Sequence, residues 1–338
     1  MENTLNFIVE QRKLVAEKQL YKVVLPELVR SGFLQVLADN DFVSFHKKIA
    51  ALSEIPSGLG LAVGLMAQVN VAGGLLQRAA LQGKDRAAIL LKEIQQGQSV
   101  ISLGVSEKGW KGRLANITSR LEKKAGGGFY VHADKSFLTN GMHANYFILI
   151  CRYEDVFASL LVTRETLGVQ QQEVVTRFGK EATHCRVICD AAELAEEDVF
   201  FLDYEDFALS LRLSEMLSFA ASFCGFGRYL LGQLSQQEHK QLKKDRLGQR
   251  HVLDLYTLLD LLAARVQELS LLKQQQPGLS LKPNYPFGLE AVRDIFLQRL
   301  FAMFSEATVR GISDDLLLFE LKDPLNEILI RQAAMKKL

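Results

Sequence analysis

The chain has 338 residues, of which 48% are hydrophobic and 23% charged, and its formal net charge at pH 7 is +1. This length suits one large domain or two to three domains of ordinary size, and the composition excludes collagen-like, low-complexity and disordered chains. The 40 basic residues are balanced by 39 acidic ones. That balance argues against nucleic acid as the main partner, since phosphate binding normally requires a basic surface.

The first part of the chain predicts a helical domain, because its apolar residues recur at helical spacing. Pro26 and Pro56 are expected to mark helix starts or breaks, since proline lacks the N–H group that a helix interior needs. We therefore place a first, all-helical domain at residues 1–98.

One segment of this first domain, residues 58–76, is apolar and nearly long enough to span a bilayer. Gln68 and Asn70 lie at its centre, however, and the sequence contains no second segment of this kind. We therefore predict a helix buried in a soluble core, with no membrane span. The N-terminal residues carry charges throughout and include no apolar signal core, so we expect a cytoplasmic protein.

Residues 99–205 predict a β domain, because short runs of aromatic and branched residues alternate with Gly and Asn/Asp turns. The predicted strands lie at residues 129–131, 146–151, 158–163 and 186–189. Their spacing is typical of an antiparallel sandwich or barrel.

Residues 206–338 return to the helical period and predict an antiparallel helical bundle. The long helical stretches are residues 206–233, 250–276, 286–310 and 324–337. The second stretch is apolar around much of its circumference, which favours self-association. The fold class is therefore α+β and mostly α, with a helical domain, a β domain and a second helical domain in that order.

Sequence motifs for common catalytic sites are absent. The chain has no Gly-rich phosphate loop of standard spacing, no HExxH and no GxSxG. Cys185 and Cys189 have only His184 as a nearby ligand, whereas a structural zinc site needs four ligands. We expect no metal site, and we expect the four cysteines to be buried free thiols.

Two strings in the β domain carry a family resemblance. Residues 106–108 read Ser-Glu-Lys, and residues 135–141 read Lys-Ser-Phe-Leu-Thr-Asn-Gly, with Arg152 following in register. They resemble the Thr-Glu-Pro and Gly-x-Lys-x-Trp-Ile-Thr-Asn motifs of the acyl-CoA dehydrogenase family. The order of that family's domains is the order predicted above, so the resemblance covers essentially the whole chain, with a shortened first domain.

The resemblance implies FAD as the cofactor. Thr139 matches the threonine whose hydroxyl binds the flavin near N5, and Phe137 stands where a tryptophan packs against the ring. Ser106 keeps the hydroxyl of the matching threonine, and Leu138 is expected to line the ring.

The remaining ligand contacts implied by the resemblance come from charged residues and a glycine. Lys244 aligns with the arginine that binds the FAD pyrophosphate, and Arg246 is close enough to replace it. Gly112 and Arg113 occupy the Gly-Ser-Asp triplet that contacts substrate. The family's Gln-x-x-Gly-Gly-x-Gly loop, which cradles the adenosine end, has no counterpart; the nearest remnant is residues 309–313.

Two carboxylates are candidates for the catalytic base that the family uses. Aligning residues 326–328 with the family's C-terminal motif places Asp323 at the catalytic glutamate. Some family members carry their base on a helix of the last domain instead, and Glu215 falls at that position. The sequence does not decide between them.

The resemblance implies an FAD-dependent dehydrogenase of fatty acid metabolism that introduces an α,β double bond into an acyl thioester of CoA or of an acyl-carrier protein. A carboxylate would take the α-proton while flavin N5 takes the β-hydride. The alternative is a non-catalytic subunit that acts as partner or scaffold in a heteromer with a full-length dehydrogenase. A third possibility is a flavin oxidase. If the protein is the FAD-dependent dehydrogenase, we expect a homodimer or homotetramer.

Overall fold

The structure is a computed structural model that describes residues 1–110, 114–202, 204–276, 279 and 284–320. Seven α-helices precede the sheet: α1 (Glu2–Leu14), α2 (Glu17–Arg30), α3 (Val36–Asp39), α4 (Phe42–Ser53), α5 (Gly58–Met66), α6 (Gly74–Leu81) and α7 (Asp85–Gln95). A π-helical turn, Ala67–Gly73, joins α5 to α6. This first region is helical throughout, as its periodicity predicts.

Pro26 lies inside α2 and not at a helix boundary, so the expectation for this proline was wrong. The reason is burial on both sides of it: Leu20, Val24 and Leu28 of α2 are all fully buried. Packing of this apolar face outweighs the hydrogen bond that the proline removes.

The apolar segment forms one continuous helical rod, Gly58–Leu81, which is long and apolar enough to cross a membrane by composition alone. Its most apolar window is 83% buried inside the protein, as expected for a core helix. The amide of Gln68 donates to the Ile101 carbonyl and accepts from the Ile101 N–H at 3.2 Å. The Asn70 amide donates to the Ser218 hydroxyl at 2.8 Å. Both central polar residues therefore connect this rod to other parts of the fold.

The middle of the chain forms one sheet, which has eight strands within the described ranges: β1 (Ile101–Gly104), β2 (Arg120–Lys123), β3 (Phe129–Thr139), β4 (Tyr146–Tyr153), β5 (Val156–Thr163), β6 (Val169–Glu173), β7 (His184–Leu194) and β8 (Val199–Phe200). The strand order is β6-β7-β3-β2-β4-β5-β8, and β1 pairs with β4. The pairs β1–β4 and β2–β4 are parallel and the others are antiparallel.

The last part of the described chain is helical: α8 (Tyr204–Gln237), α9 (His239–Leu242), α10 (Arg246–Gln275), α11 (Asn284–Met303), α12 (Glu306–Arg310) and α13 (Leu316–Glu320). The stretch predicted as one helix over 286–310 is divided, because Ser305 caps a new helix by accepting from the Thr308 N–H at 3.2 Å. The stretch predicted at 324–337 lies outside the described residues.

Two apolar cores lie on different sides of the sheet strands. One core is shared by the N-terminal and C-terminal helices, and the other lies within the sheet. Helices α4 and α8 touch closely at Gly225, where an added Cβ would lie 1.8 Å from the Ala50 carbonyl oxygen. Cys151, Cys185, Cys189 and Cys224 are all buried and unpaired, as expected.

Candidate functional site

A buried ion pair joins the two motif-bearing segments. Lys135 on β3 is fully buried, and its ammonium group lies 2.6 Å from the Glu107 carboxylate and 3.3 Å from the Val105 carbonyl. Thr118 donates to the same carboxylate from its N–H (2.7 Å) and its hydroxyl (2.6 Å), and the Ser119 N–H donates at 3.1 Å. Burial raises the pKa of Glu107, but the bonds from Lys135, Ser119 and Thr118 outweigh it and lower that pKa to about 2.

The strand β3 contains a β-bulge just after this ion pair. Two of its residues, Ser136 and Phe137, oppose the single residue Arg186 on β7. A bulge re-aims the side chains that follow it. Lys135 before the bulge and Leu138 after it are both fully buried, whereas Phe137 is 38% exposed.

Leu138 and Thr139 lie on opposite faces of the sheet, because consecutive side chains of a strand alternate. The Leu138 side chain packs into the sheet core, so it does not lie on the surface that carries Thr139 and Phe137. This corrects the expectation that the Leu138 side chain lines a flavin ring. The physical reason is the alternation of side chains along a strand, which the extra residue re-phases.

Ser106 lies beside the bulge. Its carbonyl accepts from the Ser136 N–H at 2.8 Å and from the Ser136 hydroxyl at 3.1 Å. On the preceding strand, β1, the Ser102 hydroxyl donates to the Thr139 carbonyl. The structure therefore brings Ser106, Phe137 and Thr139 together, although Ser106 is some thirty residues away in sequence.

Thr139 and Phe137 share their face with His184, which from the sequence was considered only as a metal ligand beside Cys185 and Cys189. His184 pairs with Thr139 across β3 and β7. Its imidazole stacks on the Phe137 ring, with ring centroids 4.4 Å apart and an interplanar angle of 22°. The Thr139 hydroxyl makes no hydrogen bond to another residue within the described ranges.

His184 is 3% exposed, and within the part of the chain that the structure describes neither of its ring nitrogens has a hydrogen-bond partner. Burial lowers its pKa to about 4, so the ring is neutral at pH 7. A histidine at the start of a strand belongs to no local motif. Only the cross-strand register, which the sequence does not specify, could have identified it.

The end of β3 is fixed against the N-terminal helices by Asn140. This fully buried residue has a φ of 62°, a conformation that asparagine tolerates better than most residues. Its N–H donates to the Thr183 carbonyl at 3.0 Å, and its side-chain amide donates to the Gly64 carbonyl of α5 at 2.8 Å. The Thr139 side chain is therefore held at a junction between sheet and helices.

The other predicted site residues lie apart from this group or outside the described chain. Glu215 on α8 forms an ion pair with Arg212 at 3.3 Å, and its side chain is 28% exposed. Lys244 and Arg246 are exposed beside the start of α10. No hydrogen bond or ion pair joins these two residues to the described strands.

Three predicted site residues cannot be placed by this structure. The candidate base Asp323 and the candidate substrate contacts Gly112 and Arg113 lie outside the described residues. Their roles stay predictions from the sequence.

No family model matches this sequence, and the search of curated proteins gave no match. Solved structures do match its fold. Butyryl-CoA dehydrogenase from Megasphaera elsdenii has a TM-score of 0.79 and 14% identity, with 98% of this chain and 96% of that chain covered. A glutaryl-coenzyme A dehydrogenase in complex with glutaryl-CoA has a TM-score of 0.73 and 12% identity, with 90% and 84% covered.

A third similar structure is the prolyl acyl carrier protein oxidase AnaB, with a TM-score of 0.70, 12% identity, and 90% of this chain and 87% of that chain covered. All three similarities span nearly the full length of this chain. They confirm the predicted fold class, in which a helical region, a β region and a second helical region follow one another along the chain. The chain has the acyl-CoA dehydrogenase-like fold.

Proposed function

We propose that this protein is a flavin-dependent dehydrogenase that acts on an acyl thioester of CoA or of an acyl-carrier protein. The observation that carries the proposal is the position of Thr139. Its hydroxyl has no hydrogen-bond partner among the described residues and lies on the same face of β3 as the exposed Phe137 ring, on a surface that the bulge and Asn140 hold in place. The fold supports the same proposal, because solved structures with it include an FAD-dependent dehydrogenase and a glutaryl-CoA dehydrogenase in complex with FADH2.

The residues present at this surface fit a flavin ring. A flat aromatic ring with hydrogen-bonding atoms along one edge needs an aromatic contact and polar groups beside it. Phe137 offers the aromatic contact and the Thr139 hydroxyl offers a hydrogen bond. Buried His184 has two ring nitrogens that no described residue bonds. When bound, the flavin would be the hydride acceptor.

The rest of the chain would bind and deprotonate the substrate. Lys244 and Arg246 can neutralise the cofactor diphosphate, and the family resemblance implies that this contact crosses a subunit interface. Gly112 and Arg113 would contact the substrate. Since Glu215 is paired with Arg212, accepting a proton there requires that pair to loosen. Asp323 is the other candidate base.

An oligomer is part of the proposal, because α10 exposes large apolar side chains. Leu255, Leu259 and Leu262 are buried, but Leu253 is 66% exposed and Leu261 58% exposed. Exposed apolar groups on one helix favour burial against another subunit. We expect a homodimer or homotetramer of a cytoplasmic enzyme.

The visible spectrum of the purified full-length protein tests the cofactor. We expect a yellow protein, or uptake of added FAD, and anaerobic bleaching of the flavin band by butyryl-CoA or another fatty acyl-CoA. Thr139→Val should weaken flavin binding about tenfold, because it removes one hydrogen bond at constant shape. Thr257→Val, on the exposed face of α10, is the matched control.

The base is tested by two neutral variants, Asp323→Asn and Glu215→Gln, assayed by the rate of anaerobic bleaching. The variant that removes the base should bleach at least 100-fold more slowly while retaining its flavin. If neither variant slows bleaching, both assignments are wrong. A colourless protein that takes up no FAD but forms a stable complex with a co-expressed dehydrogenase would replace the proposal by the scaffold alternative.

A further inference from the structure

We propose that His184 is a flavin-contacting residue, whose neutral imidazole hydrogen-bonds to the polar edge of the ring bound at Thr139. The inference rests on the proposed function and adds to it a residue, a tautomer-dependent bond and a movement of Phe137. Its starting point is the cross-strand pair of Thr139 with His184, which puts both side chains on one face of the sheet.

The imidazole of His184 lacks the hydrogen bonds that a buried polar ring normally makes. Buried polar atoms in folded proteins are nearly always hydrogen-bonded. Both nitrogens of His184 are buried without a partner among the described residues, and so is the hydroxyl of Thr183 beside it. The unsatisfied imidazole lies across the strand pair from the Thr139 hydroxyl, which has no partner among the described residues, and together they indicate a surface that can bind a polar group.

The chemistry of the ligand follows from that of the imidazole. A neutral imidazole offers one N–H donor and one acceptor nitrogen. Burial keeps His184 in that neutral form, since it lowers the pKa to about 4. The polar edge of an isoalloxazine ring carries carbonyl and ring-nitrogen acceptors and one N–H, so it complements both imidazole positions. A charged phosphate would favour a cationic group instead.

Access to the imidazole depends on Phe137. Phe137 lies over the imidazole in a stacked contact, yet 38% of the phenylalanine is exposed. Phe137 is therefore the side chain whose rotation uncovers His184. A stacking contact is weaker than the penalty for leaving a buried donor unpaired, so exchanging one for the other is favourable. We infer that flavin binding turns Phe137 and satisfies His184.

The test measures the dissociation constant of FAD for full-length variants by flavin fluorescence. His184→Phe keeps an aromatic ring for the stack but removes both nitrogens, and we expect its affinity for FAD to fall about tenfold. His184→Gln keeps an N–H donor and should bind within about threefold of the unsubstituted protein. His132→Phe, a change elsewhere on β3, should leave binding unchanged.

The flavin reduction potential gives a second readout. A donated N–H stabilises the electron-rich reduced flavin more than the oxidised form. We expect His184→Phe to lose about tenfold in its preference for reduced flavin, which equals a potential about 30 mV lower for a two-electron couple. A merely structural histidine would not change this preference.

The outcomes separate the inference from the proposed function. If the unsubstituted protein binds FAD and His184→Phe binds it equally well, His184 is not a flavin contact and the proposed function stands. If the unsubstituted protein binds no FAD, both fail. Should His184→Phe not fold, the imidazole signals of His184 in the unsubstituted, ¹⁵N-labelled protein decide: they must shift on adding FAD, and no shift overturns the inference.

Discussion

The sheet and the helical bundle each bury a polar cluster, and they solve the same physical problem in different ways. In the sheet, Lys135 and Glu107 are both charged, and the carboxylate accepts further bonds from Thr118 and Ser119. In the bundle the cluster is centred on His46, which is 2% exposed and neutral. The sheet cluster stabilises the Glu107 carboxylate with hydrogen-bond donors, whereas the helical cluster keeps His46 uncharged.

The donor and the acceptor of each hydrogen bond around His46 can be assigned from the neighbouring bonds. The Ser270 hydroxyl donates to the Val266 carbonyl at 2.6 Å, so it accepts from His46 Nδ1 at 2.7 Å. The Asn70 amide donates to the Ser218 hydroxyl, which in turn donates to His46 Nε2 at 2.9 Å. The network therefore fixes His46 as the neutral tautomer with its proton on Nδ1.

A buried polar group is tolerated in this fold when its hydrogen-bond partners match its charge state. Burial, with the charge of nearby Lys273 as a second cause, lowers the pKa of His46 to about 3. In the sheet, by contrast, bonds to the carboxylate overcome the effect of burial on Glu107. The two clusters should therefore respond differently to substitution and to pH.

The largest effect is expected from breaking the charged pair. Lys135→Met leaves the Glu107 carboxylate buried without its counter-ion, and we expect a loss of about 3–5 kcal/mol in the free energy of unfolding. Urea denaturation measures it. Lys123→Met on the exposed side of β2 is the control, with an expected change within about 0.5 kcal/mol. Equal losses in the two variants would show that the buried pair has no special role.

A smaller effect is expected from protonating the neutral cluster. The folded pKa of His46, about 3, lies below its ordinary value of 6.5, so the unfolded chain binds a proton first as the pH falls. Stability present above pH 6.5 is therefore lost between pH 6.5 and about 3, and by pH 5 the loss is about 2 kcal/mol. The measurement is urea denaturation at pH 7 and pH 5.

The variant His46→Gln isolates this contribution, because other titrating groups, including His143 and Glu181, are common to both proteins. We expect the difference in unfolding free energy between the unsubstituted protein and the variant to shrink by about 2 kcal/mol from pH 7 to pH 5. A difference that stays constant with pH would contradict the neutral assignment of His46.

The smallest effect is expected from removing one of several bonds to the sheet carboxylate. Thr118→Val deletes the 2.6 Å hydroxyl bond to Glu107 but keeps the backbone bond at 2.7 Å and the Lys135 pair. We expect a loss of about 1–2 kcal/mol, since the carboxylate retains partners. Differential scanning calorimetry measures it, and Thr118→Ser should restore most of the stability. A loss as large as that of Lys135→Met would mean that the bonds are cooperative.

Hydrophobic periodicity predicted most of the fold. It predicted a strand over 146–151 where β4 runs Tyr146–Tyr153, and a helix over 250–276 where α10 runs Arg246–Gln275. The expectation drawn from the missing N–H of proline was wrong at Pro26, because tertiary packing of α2 outweighs the local effect of proline. Periodicity reports which face is apolar, and that information is largely local.

The candidate site was less predictable, because it depends on register. Ser106 is bonded to Ser136, next to Phe137 on β3, but the flavin contacts of Ser106, Phe137 and Thr139 stay predictions, and the bulge after Lys135 has no sequence signal of its own. The neighbour of Thr139 on β7, His184, follows from which residues pair across the sheet. Such pairing is set by long-range contacts, which one sequence does not display.

The amide of Gln68 has a consequence for how the sheet is attached to the helices. A side-chain amide has the same donor and acceptor as a peptide group, and that of Gln68 bonds both the N–H and the carbonyl of Ile101 in β1. Gln68 and Ile101 are both buried, so an apolar side chain at position 68 would remove these two bonds from backbone groups in the protein interior. The π-helical turn therefore completes the hydrogen bonding of a buried strand residue with a single glutamine.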